Sequence, residues 1–225
     1  ESRRIPKTSQ PSPHQFVEFY KKIAQKGDTI LSIHITSKLS GTYASCIAAA
    51  EEVKDDFKVI PIDSALGSLG IGILCREARK MERAGKSIEE IVKRIEDVKK
   101  RSRVILTLDT LEYAKMSGRV KTLQAALASV LNVKPIAVLR DGDLKMEERV
   151  RTRKAALDRV VEMAKNEYGD TPVILAVVHA RDPKSGEGLL EEAKKHFNYT
   201  EALMGELGIS IAANRNPAVR AALCT

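Results

Sequence analysis

The fold can be inferred outward from one segment, Thr36-Ser37-Lys38-Leu39-Ser40-Gly41-Thr42-Tyr43. An apolar run at 29–35 precedes it and predicts a buried strand, and an Ala-rich run at 44–53 follows it and predicts a helix. Open α/β sheets bind ligands at this kind of strand-to-helix edge, and the helix N-terminus there favours an anion. Ser40 or Thr42 acting only as a helix cap explains the same residues and is the more frequent case.

Composition limits the class of protein. The chain has 225 residues, 43% of them hydrophobic and 30% charged, which is typical of a soluble globular protein with one or two domains. No window approaches the roughly 18 apolar residues of a membrane span, and no signal peptide is recognisable. Three cysteines without CxxC spacing argue against a disulfide framework or a zinc site, and Cys46 and Cys75 are expected to be small core residues. We therefore expect a cytoplasmic protein.

The net charge of +8 raises the question of a nucleic-acid partner. Acidic residues are interleaved with basic ones along most of the chain, which indicates solvated helix faces. The one dense basic run, 99–103, ends a predicted helix, where cations are favoured, and no aromatic residues that could stack on bases lie within it. No nucleic acid is expected, and a basic surface facing an acidic protein is at least as well supported.

The order of predicted elements defines the fold class. The first hundred residues alternate strand and helix, which implies a parallel sheet with right-handed crossovers. Ser87 and Glu90 form a capping-box pattern before one of these helices. Later, Asp141-Gly142 between two extended runs predicts a hairpin, so a second domain should have a mixed sheet. We expect an α/β protein of two α/β domains, 1–103 with a mainly parallel sheet and 104–225 with a mixed sheet. Further predicted elements are helices at 14–25, 69–83, 88–100, 110–115, 121–130, 152–168 and 186–196, and strands at 57–63, 104–108, 173–178 and within 200–213, with loop at the end.

Motifs for self-contained catalysis are absent from the sequence. It contains no Walker A loop, GxGxxG, HExxH or GxSxG, and its four histidines have no metal-ligand spacing. His34 lies within a predicted strand and is expected to be a packed or pH-insensitive residue. His179 is expected to make a structural hydrogen bond, although it could face a cleft. We predict no catalytic residue, no metal and no cofactor.

Six segments of the sequence resemble the DegV family of bacterial fatty-acid-binding proteins, in the same order along almost the whole chain. They are Thr8-Ser9-Gln10-Pro11-Ser12-Pro13, Ile35 to Tyr43, Asp63-Ser64, Thr107 to Arg119, Leu131 to Ile136 and Arg151 to Ala155. The resemblance implies a DegV-like fold with a long-chain fatty acid between the two domains, its tail in an apolar tunnel. It also implies the ligand-binding residues Thr8, Ser9, Ser40, Gly41, Thr42, Arg119 and Asn214. Of these, Thr8 and Ser40 would hold the carboxylate, and Arg119 would lie near it.

The resemblance further implies a partner. Characterised members present the bound acid to the catalytic subunit of a separate, ATP-dependent fatty acid kinase, which makes the acyl phosphate for phospholipid synthesis. Two departures stand out: the family's first strand and Thr-Asp-Ser turn are not seen before Thr8, so the first domain is expected to be incomplete, and Asn214 takes the place of a histidine. An enzyme related to the dihydroxyacetone kinases that uses His179, and a basic scaffold or DNA-associated regulator, are the alternatives.

Overall fold

The computed structural model describes residues 8–108, 133–212 and 221–224, which form two compact units. The N-terminal unit contains Ser9–Gly67 and Ile71–Lys100, and the C-terminal unit contains Thr8, Ser68–Gly70 and the described residues from Arg101 onward. The helices are α1 (Pro13–Ile23), α2 (Thr42–Glu52), α3 (Leu69–Arg83), α4 (Ile88–Arg101), α5 (Arg153–Tyr168), α6 (Pro183–His196) and α7 (Ile209–Ala212). The strands are β1 (Thr29–His34), β2 (Lys58–Asp63), β3 (Val104–Thr107), β4 (Lys134–Arg140), β5 (Asp143–Val150), β6 (Val173–His179), β7 (Tyr199–Glu206) and β8 (Ala221–Cys224).

The N-terminal unit is built on a parallel strand pair. β1 and β2 pair in register from Thr29 opposite Lys58 to His34 opposite Asp63, so both strands end at the same edge. This confirms the parallel pairing predicted from the alternation of strand and helix. Helices α1 and α2 bury a common core of aliphatic and aromatic side chains, namely Val17, Tyr20, Cys46, Ala49, Val53 and Phe57.

Two helices of this unit begin at capping residues, whose side chains accept hydrogen bonds from free backbone N–H groups. Ser12 and Gln15 form a capping box at α1, with Pro13 at the first helical position. Ser87 and Glu90 form the predicted capping box before α4: each side chain accepts a hydrogen bond from the other residue's backbone N–H, at 3.2 and 2.9 Å.

The C-terminal unit contains a six-stranded mixed sheet in the order β5-β4-β3-β8-β6-β7. Its β4–β5 hairpin turns at Asp141 and Gly142, whose φ angles of 52° and 79° give the left-handed turn that Asp-Gly predicts. The β6–β7 pair is parallel, and the pairs at β3, β4 and β8 are antiparallel. Helices α5 and α6 contribute Val160, Val161, Ala164, Leu189 and Ala193 to the aliphatic core of this unit. The mixed α/β architecture is therefore confirmed.

Two predictions are wrong. The end of the chain was expected to be loop, but 221–224 form β8, which pairs with both β3 and β6. Cys46 is buried as expected, whereas Cys75 is exposed because it lies on the outer face of the amphipathic helix α3. The helices expected at 110–115 and 121–130 lie outside the described residues, and the domain boundary at 103/104 stays a prediction.

Candidate functional site

The hydroxyl-rich turn lies at the edge where β1 and β2 both end. Residues 35–41 connect β1 to α2, and residues 64–68 connect β2 to α3. In parallel sheets this carboxyl edge is where ligands bind, because two adjacent loops leave it side by side. The strand-to-helix position predicted for the segment Thr36–Tyr43 is therefore the one that it occupies.

The turn is held by its own backbone. Thr36 is fully buried, and its carbonyl oxygen accepts hydrogen bonds from the N–H groups of Leu39 at 3.1 Å and Ser40 at 3.2 Å. The hydroxyls of Ser40 and Thr42 lie 2.8 Å apart, and both residues are half-buried. This arrangement places two hydroxyl groups together at the start of α2.

The N-terminus of α2 also offers backbone donors. Gly41 is the N-cap residue and has no side chain with which to cap the helix. Ser40 Oγ accepts from the Thr42 N–H at 3.3 Å, while the N–H groups of Tyr43 and Ala44 make no hydrogen bond within the described parts of the chain. Ser40 therefore performs part of the capping role considered above, yet two donors and the positive end of the helix dipole stay available to an anion.

Gln10 lies over the turn, although the sequence analysis did not include it among the ligand-binding residues. A Cβ added to Gly41 would overlap the Gln10 carboxamide, so the amide group lies directly over the glycine. Gln10 Nε2 also lies 3.4 Å from Ser45 Oγ on the first turn of α2. The segment that contains Ser9 and Gln10 is thus anchored beside the turn through Gln10. In the sequence, a glycine directly before a predicted helix indicates that another group can lie close to the backbone there. No local pattern identifies the side chain that covers this glycine.

The structure says less about the positions of the other predicted ligand-binding residues. Ser9 is exposed, and Thr8 is half-buried and belongs to the C-terminal unit, so its pairing with Ser40 around a carboxylate stays a prediction. Arg119 and Asn214 lie outside the described residues.

A polar chain runs through the core behind the turn. Tyr20 Oη lies 3.1 Å from Cys46 Sγ and 2.8 Å from Ser32 Oγ, and Ser32 Oγ lies 2.8 Å from His34 Nε2. Burial lowers the pKa of His34, and burial together with the neighbouring thiol raises the pKa of Tyr20. The ring of Phe16 packs edge-on against His34 at 5.1 Å. His34 is therefore a packed residue in the strand that leads into the turn, as predicted.

His179 does not make the hydrogen bond that was predicted for it within the described part of the chain. The residue ends β6 and is 7% exposed, and its Nδ1 atom has no partner among residues 8–108, 133–212 and 221–224. Its ring packs against Gly186 of α6, where an added Cβ would lie 3.0 Å from the imidazole Cδ2. Close packing against α6 accounts for the burial of this histidine.

The Arg151–Ala155 segment contributes a structural ion pair. Arg153 binds the carboxylate of Asp182, the N-cap of α6, and the hydroxyl of Ser185. Desolvation opposes the charged form of Asp182, but the bonds from Arg153 and Ser185 outweigh it and lower the pKa of Asp182 to about 2. Arg153 thus fixes the start of α6.

These features define a class: an α/β protein whose two units each carry their own sheet, with a hydroxyl-rich turn at the carboxyl edge of a parallel strand pair. The family model described as an uncharacterised protein of the DegV family matches residues 1–223. The chain belongs to the DegV family. A DegV domain-containing protein of Listeria innocua is 32% identical over 213 residues, which cover 92% of this chain and 74% of the relative.

Solved structures show the same fold. A fatty-acid-binding DegV family protein from Thermus thermophilus has a TM-score of 0.89 and 30% identity, and the match covers 97% of this chain and 78% of that one. A DegV lipid-binding protein from Thermotoga maritima has a TM-score of 0.87 and 25% identity, covering 99% and 78%. Within the described residues, no helix combines the length and the apolar character needed to cross a bilayer.

Proposed function

We propose that this protein binds a long-chain fatty acid and holds its carboxylate at the start of α2. The observation that carries the proposal is the convergence of the Ser40 and Thr42 hydroxyls with the open N–H groups of Tyr43 and Ala44. The fatty-acid-binding relative from Thermus thermophilus, with 30% identity, supports this choice among possible anions.

The energetics suit an amphipathic acid. Removing a carboxylate from water costs several kcal/mol unless donors replace its hydration, and each hydrogen bond to a charged group returns about 1.5–3 kcal/mol. Thr8, Arg119 and Asn214 are proposed to add further donors at this head group. The tail gains about 0.8 kcal/mol per buried CH₂, so a sixteen-carbon chain in an apolar tunnel gains on the order of 10 kcal/mol before ordering costs.

We further propose that the protein is a carrier rather than an enzyme. In this role it presents the bound carboxylate to the catalytic subunit of a separate kinase, where a carboxylate oxygen attacks the γ-phosphorus of ATP and ADP leaves. The reaction yields an acyl phosphate for phospholipid synthesis, and its need for ATP places it in the cytoplasm. Retaining the head group at a loop edge, rather than deep in a core, suits such a transfer.

The test is direct detection of the ligand. Protein purified from a bacterial host, denatured and analysed by mass spectrometry should release fatty acid in near-stoichiometric amount. Delipidated protein should take up palmitate again. If no fatty acid is released and none binds on addition, the proposed function is wrong.

A further inference from the structure

The carboxylate of Asp63 joins the two loops that leave the carboxyl edge of the parallel strand pair. Asp63 is the last residue of β2. Its Oδ2 accepts a hydrogen bond from the Ser37 N–H at 3.2 Å, and its Oδ1 accepts one from the Ala65 N–H at 2.9 Å. One side chain therefore holds a backbone donor of each loop.

Other hydrogen bonds make this junction rigid. The Thr36 N–H donates to the Leu66 carbonyl at 3.0 Å, and the Ser64 N–H donates to the His34 carbonyl at 3.0 Å. Ser64 is fully buried, and its hydroxyl accepts from the Leu66 N–H at 3.0 Å. Ala65 has a φ of 54°, a conformation that non-glycine residues avoid, so the bond from its N–H to Asp63 fixes a loop that would otherwise relax.

The junction controls where Ser40 lies. Thr36 and Ser37 are held from outside the turn by Leu66 and Asp63, and the Thr36 carbonyl in turn accepts the N–H of Ser40. Lys99 Nζ donates to the Asp63 carbonyl at 3.0 Å, which fixes the backbone of Asp63 itself. Displacement of 36–37 must therefore displace the Ser40 hydroxyl and the start of α2.

We infer that Asp63 is a positioning residue of the carboxylate-binding turn, acting through Thr36 and Ser37 on Ser40. This inference rests on the proposed function, because it assigns the head group to that turn. Only a short, doubly accepting side chain fits the role. Asparagine would keep one acceptor and turn an NH₂ group towards an N–H donor, and alanine would remove both acceptors.

The experiment compares two ligands that share a tail. Affinities for palmitate and for hexadecanol are measured by displacement of a fluorescent fatty acid from wild type, Asp63→Ala, Asp63→Asn and the control Asp28→Ala. Asp28 is a matched control, because its Oδ2 also accepts a loop N–H, that of Gln25 at 2.8 Å, but just before the opposite end of β1. We expect D63A to weaken palmitate binding about tenfold or more, because a displaced turn no longer aligns its hydrogen bonds with the palmitate carboxylate. Hexadecanol binding should change less than about twofold, since tail burial is unaltered.

The ratio of the two affinities separates positioning from general stability. D63A should lower the ratio of palmitate affinity to hexadecanol affinity, and D63N should lower it by a smaller factor. D63N therefore keeps the test valid if D63A does not fold. D28A should leave the ratio unchanged. If wild type binds palmitate but D63A and D63N keep the wild-type ratio, the positioning role is overturned while the proposed function stands. If wild type binds no palmitate, both are overturned.

Discussion

Removing one hydroxyl, in the variant Ser40→Ala, distinguishes a binding residue from a helix cap. Ser40 Oγ accepts the Thr42 N–H at 3.3 Å and lies 2.8 Å from Thr42 Oγ1. Loss of these contacts should lower the free energy of unfolding by about 1 kcal/mol, the usual effect of losing a cap. If the same hydroxyl also binds a carboxylate, its removal costs about 1.5–3 kcal/mol of binding free energy, or about 10- to 150-fold in Kd. The freed Thr42 hydroxyl can replace part of the lost contact, so we expect the lower end of that range.

The assay pairs urea denaturation of ligand-free protein with fluorescence displacement by palmitate, and Ser87→Ala is the control. Ser87 caps α4 with a similar side-chain-to-backbone bond of 3.2 Å, but it belongs to a different loop. Both variants should lose about 1 kcal/mol of stability, and only S40A should lose affinity. If the two variants behave alike, with palmitate binding unchanged in each, Ser40 is a cap and the reasoning about the head group is refuted.

Two further predictions concern the same turn and the C-terminal unit. Gly41→Ala should displace the Gln10 carboxamide, because the new Cβ overlaps it. Since φ at Gly41 is −73°, stability in urea should change by less than about 1 kcal/mol, while palmitate affinity falls; unchanged affinity would argue against a role for Gln10. The pKa of Asp182 is about 2 in the folded protein against an ordinary 3.8, so its ion pair with Arg153 stabilises the fold above about pH 4, and this contribution is lost as pH falls towards 2. Solvent screening reduces the stability that this ion pair contributes to about 1 kcal/mol. In urea titrations at several pH values, Asp182→Asn should remove the ion-pair contribution and its pH dependence yet keep the N-cap, whereas Asp182→Ala should lose about 1 kcal/mol more because it also loses the cap. Equal stability of the two variants would contradict the separation of the ion-pair and capping contributions.

Features encoded within a few residues were predictable from the sequence. The hairpin at Asp141-Gly142 and the capping box at Ser87 follow from local backbone chemistry, and both occur as predicted. The turn at Ser40 was likewise recognisable, because it lies between an apolar run that predicts a strand and an Ala-rich run that predicts a helix.

Features that depend on distant residues were not predictable. β8 has only four residues, and its partners Val104–Thr107 and Ala176–Val177 precede it by more than forty residues. No local sequence pattern therefore predicts this strand. Asp63 was recognised as the end of a strand and as part of one segment that resembles the DegV family, but its hydrogen bond to Ser37 depends on where Ser37 lies after folding. Gln10 contacts Gly41 across thirty intervening positions of sequence, and a polar residue in a proline-rich segment predicts no such contact by itself.

The position of β8 between β3 and β6 has a consequence for how the protein is made. β3 and β6 are neighbours of β8 and not of each other, so the six-stranded sheet consists of two separate halves until β8 inserts. During synthesis on the ribosome, β3 leaves the exit tunnel more than a hundred residues before β8 does. Strands β3 and β6 therefore each expose an unpaired edge for several seconds at ordinary elongation rates of about 5–20 residues per second, an interval in which chaperones that shield strand edges would act.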